Sequence, residues 1–273
     1  MNVEVYGGNH SPWVQAVLLG LHEKGIDYSL RSTPPIDVLK SSGVFMPMVS
    51  IDGGEWQGES SEILVKLGFE PIAETDLQAV RGAWQGVLHR PDNPLRFFVG
   101  FSRSGDKAPS LLTRTVRNYL RSFVPFYMFT LINFVKLKRK PKDPDDFGEQ
   151  YLYWESALQD SSGPFLDGQV PGIRDIMLFG IIQCHCSIPV PPLAPLIDDE
   201  RLDRLRGWLG VMHDRFQTYP MLYSGSYFEP RVATPVPASL PQRGIFFLGL
   251  ITMITAFPVT LPLVFLLMKK APR

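Results

Sequence analysis

The chain opens on alternation, Val3-Glu4-Val5-Tyr6 running into Gly7-Gly8. A period of two that ends in glycine predicts a short strand and a turn. From Ser11-Pro12 the period lengthens: Trp13, Val14, Val17, Leu18 and Leu21 recur on one helical face until Gly25, so a helix opened by proline and closed by glycine is predicted. Tyr28 to Arg31 reads as a second strand, 34–42 as a short helix or loop, and Met48 to Ile51 as a third strand turning at Asp52-Gly53-Gly54 into a hairpin with 55–57. Glu59-Ser60-Ser61-Glu62 then begins a helix carrying Ile63, Leu64 and Leu67 and closed by Gly68. This order predicts a small α/β domain over residues 1–70.

Beyond it helical periodicity dominates, with candidate helices at 76–88, 110–137, 144–159, 174–184 and 199–218. An all-α domain over 76–228 is expected, with a polar loop at 103–109. Residues 229–243 are proline-rich and predict a linker. It leads into 244–268, which are 25 consecutive residues without Asp, Glu, Lys, Arg, His, Asn or Gln. At about 1.5 Å per residue such a run crosses a hydrocarbon core of about 30 Å as a tilted helix, and prolines kink such helices without preventing it. The expectation is one transmembrane helix at the C-terminal side, flanked by Arg243 and by Lys269, Lys270 and Arg273.

Charge changes the picture in one region. The chain carries 27 basic and 27 acidic residues and is 45% hydrophobic, which excludes a disordered chain and a wholly basic nucleic-acid binder. Between Arg81 and Lys142, however, 13 Lys and Arg face only Asp92 and Asp106. Within that stretch Arg114, Arg117 and Arg121 fall at helical spacing, an apolar run follows over 123–135, and Lys136, Lys138, Arg139 and Lys140 close it. An apolar patch ending in a basic cluster predicts contact with an anionic bilayer surface, or else an ordinary core with a solvated face.

Cys184 and Cys186 are separated by one residue, too close for a disulfide framework, and their expected state is reduced. His185 between them invites a metal reading, but no second His/Cys pair completes a tetrahedral set, so no metal is expected and buried small hydrophobes are the reading for both cysteines. The first residues lack the basic and apolar regions of a secretory leader. A membrane protein with its folded domains facing the cytosol is therefore expected.

Four words of sequence bring in a family. Ser11-Pro12-Trp13, then Leu21-His22-Glu23-Lys24-Gly25-Ile26-Asp27-Tyr28, then Met46-Pro47-Met48-Val49, then Glu59-Ser60-Ser61-Glu62-Ile63 resemble the glutathione transferase superfamily. Phe165-Leu166-Asp167-Gly168 with Pro171-Gly172-Ile173-Arg174-Asp175-Ile176 adds a word from the second domain. The resemblance covers residues 3–220 and implies a thioredoxin-like N-terminal domain followed by a helical one, with glutathione as co-substrate.

It also implies roles. Met46, before a cis Pro47, would offer its backbone to the peptide part of glutathione. Ser60, at a helix N-terminus, would bind the γ-glutamyl carboxylate and Glu59 its ammonium. Ser11 would donate a hydrogen bond to the ionised thiol, with Tyr6 as the alternative donor. The same Ser11-Pro12 pair is also an N-cap followed by an N1 proline, a role that needs no substrate. Trp13, Trp84 and Phe98 would line the place of a hydrophobic second substrate. Asp175 would help cap its helix behind Gly172.

Many relatives carry a basic residue two positions before the cis-proline, where this chain has Phe45. Together, the apolar run over 244–268 and the resemblance imply a membrane-tethered glutathione transferase-like protein acting on a hydrophobic electrophile. The alternative is a non-catalytic module of that fold anchored to a membrane. A homodimer is compatible with either, and nucleic acid is not an expected partner.

Overall fold

The computed structural model describes residues 1–85, 94–103, 105, 108–140, 145–187, 190–223 and 237–270. In chain order the elements are β1 (Val3–Tyr6), α1 (Pro12–Glu23), β2 (Tyr28–Arg31), α2 (Ile36–Ser41), β3 (Met48–Ile51), α3 (Ser60–Lys66), α4 (Glu74–Gln85), α5 (Pro94–Ser102), α6 (Leu111–Arg121) and α7 (Phe123–Arg139). They continue with α8 (Glu149–Gln159), α9 (Ile173–Ser187), α10 (Leu193–Asp198), α11 (Asp203–Arg215), α12 (Leu240–Thr255) and α13 (Phe257–Lys270). The strands form one sheet in the order β2-β1-β3. β1 and β3 are antiparallel, with Val3 opposite Ile51 and Tyr6 opposite Met48. The expected fourth strand at 55–57 is reduced to a single antiparallel bridge between Val49 and Gln57.

These elements gather into two compact units, and neither is a contiguous stretch. The first comprises Met1–Leu30, Met46–Asp92 and Lys142–Ala233; the second comprises Arg31–Phe45, Asn93–Pro141 and Thr234–Arg273. The expected division near residues 70–76 is not a break between them. Leu18 and Ile63 share a continuous apolar core with Val80, Trp154, Ile176 and Trp208.

In the first unit α1 is buried on every side, with Val14, Gln15, Ala16, Val17, Leu18 and Leu19 all without accessible surface. It packs along α9 and against α3. Closeness to α9 depends on Gly180, where a Cβ would stand 2.7 Å from the Pro12 carbonyl oxygen and 2.9 Å from the Ala16 nitrogen. Helix α9 is started by Asp175. Its buried carboxylate accepts from the backbone N–H of Leu166 (2.7 Å), Asp167 (3.1 Å) and Gly172 (3.0 Å) and from Trp208 Nε1 (2.7 Å). Burial pushes the Asp175 carboxyl up, and these donors oppose the shift. The expected capping role is thus performed by a side chain at the third helical position bonding back to the N-cap backbone.

The second unit contains α2, α5, α6, α7, α12 and α13. The expected helix over 110–137 is two helices, broken at Ser122. Pro125 explains the break, since its ring clashes with the carbonyl four residues back, at Arg121. The same chemistry corrects the expected transmembrane helix over 244–268. Pro258 meets the carbonyl of Ile254, the chain breaks at Ala256, and α12 and α13 diverge by 93°. With 16 and 14 residues they are about 24 and 21 Å long. Among the described residues no single helix is long and apolar enough to cross a membrane, and only this bent pair taken together has the length and composition to do so. Helix α12 also begins inside the expected linker, where Ser239 N–H donates to Gln242 Oε1 at 2.9 Å; residues 229–236 lie outside the described residues.

The arginine stripe of α6 differs from expectation as well. Asn118 is buried, the Nε atoms of Arg114 and Arg121 are shielded from solvent, and the Arg121 guanidinium lies 5.5 Å from the ring centroid of Phe246 on α12. The polar side of α6 therefore faces its neighbour helix. Its leucine side faces out.

Candidate functional site

The register of the sheet collects three segments at one end. Tyr6 ends β1 opposite Met48, which begins β3, so the loop leaving β1 and the segment entering β3 lie at the same edge. The bridge from Val49 to Gln57 is antiparallel, and that direction carries residues 58–60 back toward the same end. Ser11, Met46-Pro47 and Glu59-Ser60, distant in sequence, converge by topology.

The loop from Gly7 to Ser11 is shaped by close approaches. Gly8 N–H lies 3.3 Å from Met46 Sδ, which joins this loop to the segment before β3. Ser11 N–H donates to the Gly8 carbonyl at 2.9 Å and closes the turn. Ser11 is the N-cap of α1 with extended backbone and Pro12 follows as the first helical residue, yet its side chain makes no capping hydrogen bond. Geometry thus separates the two readings of Ser11-Pro12: the position is that of a cap, but the hydroxyl does not act as one. Tyr6, the alternative donor, is wholly buried at the end of β1 and stands away from the solvent through which a ligand arrives.

The Met46–Pro47 peptide bond is cis. Among the described residues neither the N–H nor the C=O of Met46 enters a backbone hydrogen bond. A half-buried backbone donor and acceptor left out of the sheet suit an extended peptide laid alongside. Ser60 begins α3 and is 5% exposed. Before it, Glu59 holds φ 62° and ψ 103°, the left-handed side of backbone space for a residue that is not glycine. Such a conformation costs of order 1–3 kcal/mol and accumulates where a ligand is gripped. The Glu59 carboxylate is 3.9 Å from Arg81, whose guanidinium is also 3.9 Å from Glu74. All three side chains are substantially exposed, so this pairing is weak.

Trp13 and Trp84, both half-buried, bring their rings to 6.3 Å with a 43° tilt. Phe98 is in the second unit, within an aromatic cluster with Phe97 and Phe129 at 5.2 and 5.3 Å. The three residues expected to line a second-substrate site are thus divided between units.

What the sequence reading missed is the device that fixes the Ser11 loop. Gln15, fully buried on α1, donates from Nε2 to the Asn9 carbonyl (2.7 Å) and the Met221 carbonyl (3.2 Å), and its Oε1 accepts from Tyr219 Oη (2.9 Å). Tyr223 N–H donates to Gln183 Oε1 at 2.7 Å, and the rings of Tyr223 and His10 stand 5.2 Å apart. Burial holds the Tyr219 phenol well above its ordinary range, so it remains a donor. The available signal was a glutamine inside a stretch that is apolar on every side.

The cysteine pair shows no site chemistry. Cys186 is fully buried, and desolvation pushes its thiol up to about 12; His185 Nδ1 pairs with Tyr151 Oη at 3.1 Å. Among the described residues no group of three His, Cys, Asp or Glu side chains is placed to hold a metal. A polar cleft of about 550 Å³ between α8 and the loop at 161–168 includes none of the expected residues.

No family model matches the chain, and no curated protein matches it in sequence. Solved structures similar to it include a glutathione transferase from Populus trichocarpa, 15% identical, with 78% of this chain and 94% of that one covered and a TM-score of 0.46. A theta-class glutathione transferase from Xanthomonas axonopodis with glutathione bound is 18% identical over 82% of this chain and 98% of that one, with a TM-score of 0.43. An epsilon-class enzyme from the housefly, Musca domestica, is 16% identical over 77% and 87%, with a TM-score of 0.44. With TM-scores below 0.5, any assignment of function depends on this chain's own residues.

Proposed function

We propose that the chain binds glutathione at the edge where β1, β3 and α3 converge, and joins its sulfur to a hydrophobic electrophile while held at a membrane. The observation that carries this reading is that, among the described residues, the Met46 N–H and C=O beside the cis peptide bond enter no backbone hydrogen bond. An extended peptide supplies the complementary N–H and C=O. The γ-glutamyl carboxylate then meets Ser60 and the first N–H groups of α3, where the helix dipole favours an anion, and the ammonium meets Glu59. The thiol gives its proton to solvent, and the Ser11 hydroxyl, released from capping duty, donates a hydrogen bond to the thiolate. A carbon–sulfur bond forms as the sulfur lone pair attacks the electrophilic carbon, and either the adjacent π bond passes its electron pair to a neighbouring atom that takes a proton from solvent or a leaving group departs with the pair. Trp13 and Trp84 offer an apolar wall beside this place.

Titration of glutathione into the full-length protein in lipid nanodiscs tests the reading. Binding in the micromolar to millimolar range is expected, weakened by Ser60→Ala and unchanged by Ser11→Ala. Ser11→Ala should instead lower turnover with a model electrophile about tenfold or more, because a hydrogen bond to a charged atom contributes about 1.5–3 kcal/mol. No heat at several millimolar glutathione overturns the reading.

A second reading, a binding module without catalysis, is favoured by Phe45, an apolar residue at the sequence position, two before the cis-proline, where many relatives carry a basic one. Glutathione binding with no turnover toward any electrophile in a broad panel selects it.

A further inference from the structure

Helix α6 is inverted relative to a helix that faces water. Leu112, Val116 and Leu120 lie on one side and are 73%, 47% and 46% exposed. On the opposite side Asn118 is only 1% exposed, the Nε atoms of the partly exposed Arg114 and Arg121 are shielded from solvent, and the Arg121 guanidinium lies 5.5 Å from the ring centroid of Phe246 on α12. Arg117 is exposed at the border between the two faces. In water a half-turn of this helix would hydrate the guanidinium groups and bury the leucines, improving both terms. The observed orientation is favourable only when the surroundings are less polar than the protein's own interior contacts.

The partner helices agree. Gly249 of α12 is buried against α6, where a Cβ would come within 2.5 Å of the Tyr119 carbonyl oxygen, and small residues at crossings are how helices pack closely in lipid. The outer faces of α12 and α13 present Leu248, Ile251, Ile254, Phe257, Val259 and Leu263, each 44% exposed or more. The hydroxyls on these helices are satisfied internally: Thr252 donates to Leu248 O and Thr255 to Ile251 O, both at 2.9 Å, and Thr260 donates to Met253 O at 2.8 Å. Basic groups gather at helix ends, Lys136, Lys138 and Arg139 in the last turn of α7 and Lys269 and Lys270 in the last turn of α13, where they match anionic headgroups.

We infer that the outer face of α6, α12 and α13 is immersed in the acyl chains of a lipid bilayer, with the arginine side of α6 sequestered against α12. The membrane is thus met by a folded helical surface, not by one spanning helix. This inference rests on the membrane half of the proposed function, and a two-part experiment separates them. Flotation of the full-length protein with phosphatidylcholine vesicles, with and without phosphatidylserine, tests membrane association itself.

All five tryptophans, at 13, 56, 84, 154 and 208, belong to the first unit. Leu120→Trp and Ile251→Trp therefore each add a reporter to the second. The added emission should be quenched by lipids brominated on the acyl chains, and Leu120→Asp with Ile251→Asp should reduce flotation about tenfold or more, since a charge within hydrocarbon is strongly disfavoured. The tryptophan variants decide the matter even if the aspartate variant does not fold. Floating wild type with unquenched reporters overturns the inference and leaves membrane association standing. Wild type that does not float, and instead forms a dimer that the aspartate pair dissociates, overturns both and assigns the face to a second copy of the chain.

Discussion

Gln15 stands where the pattern of α1 calls for a hydrocarbon, and its three hydrogen bonds explain why an amide is tolerated there. A buried amide without partners costs about 1–3 kcal/mol, so the network both satisfies the group and fixes the loop that carries Ser11. Asp175 follows the same logic with four donors. Trp208→Phe removes one of them and leaves a small cavity where the indole was larger, and a loss of at least about 1–3 kcal/mol is expected in urea unfolding followed by circular dichroism. The surface cluster around Arg201 behaves differently. Its hydrogen bond to Asp199 holds that carboxyl at about 2, against an ordinary 3.8, and Asp146 is lowered by the same guanidinium. A depressed folded value means stability that is present above the unfolded pKa and lost as pH falls through the folded one. Arg201→Gln should therefore be less stable than wild type near neutrality, with the difference closing between about pH 4 and pH 2 in denaturation midpoints measured across that range.

At the scale of elements, strands and caps were legible because their signals are local. Alternation placed β1, Ser11-Pro12 and Gly25 bounded α1, and Glu59-Ser60 opened α3. The misses have physical causes. Helix α5 (Pro94–Ser102) and helix α10 (Leu193–Asp198) are short and begin in proline-rich stretches, and no helix was expected there. The apolar character of 110–137 concealed Pro125, and in 244–268 the prolines were expected to kink a helix that Pro258 in fact breaks; in both, the effect on the carbonyl four residues back outweighs hydropathy. Side-chain networks such as that of Gln15 join residues about 200 apart in sequence, and no local pattern encodes them. Contact between elements likewise depends on single glycines. Gly180→Ala places a methyl against the backbone of α1, which cannot rotate aside as a side chain can, and a destabilisation of about 1–3 kcal/mol is expected from thermal unfolding. The same substitution at Gly210, where a Cβ meets nothing within 4 Å, is the control.

At the scale of the whole molecule, the two compact units share the chain in alternation, which composition and periodicity do not reveal. The site's three segments, by contrast, all belong to the first unit, and the sequence words that carried the resemblance to glutathione transferases come from it.

The inward arginines of α6 set a schedule as well as a structure. Helix α12, which covers them, is synthesised about 120 residues later, some 6–24 s at 5–20 residues per second. During that interval α6 has no partner for its charged side, and water is the only medium that stabilises it. With the outer face of α6 in a bilayer, as inferred above, the helices would meet it after α12 has been made and docked, so insertion would follow folding of the second unit.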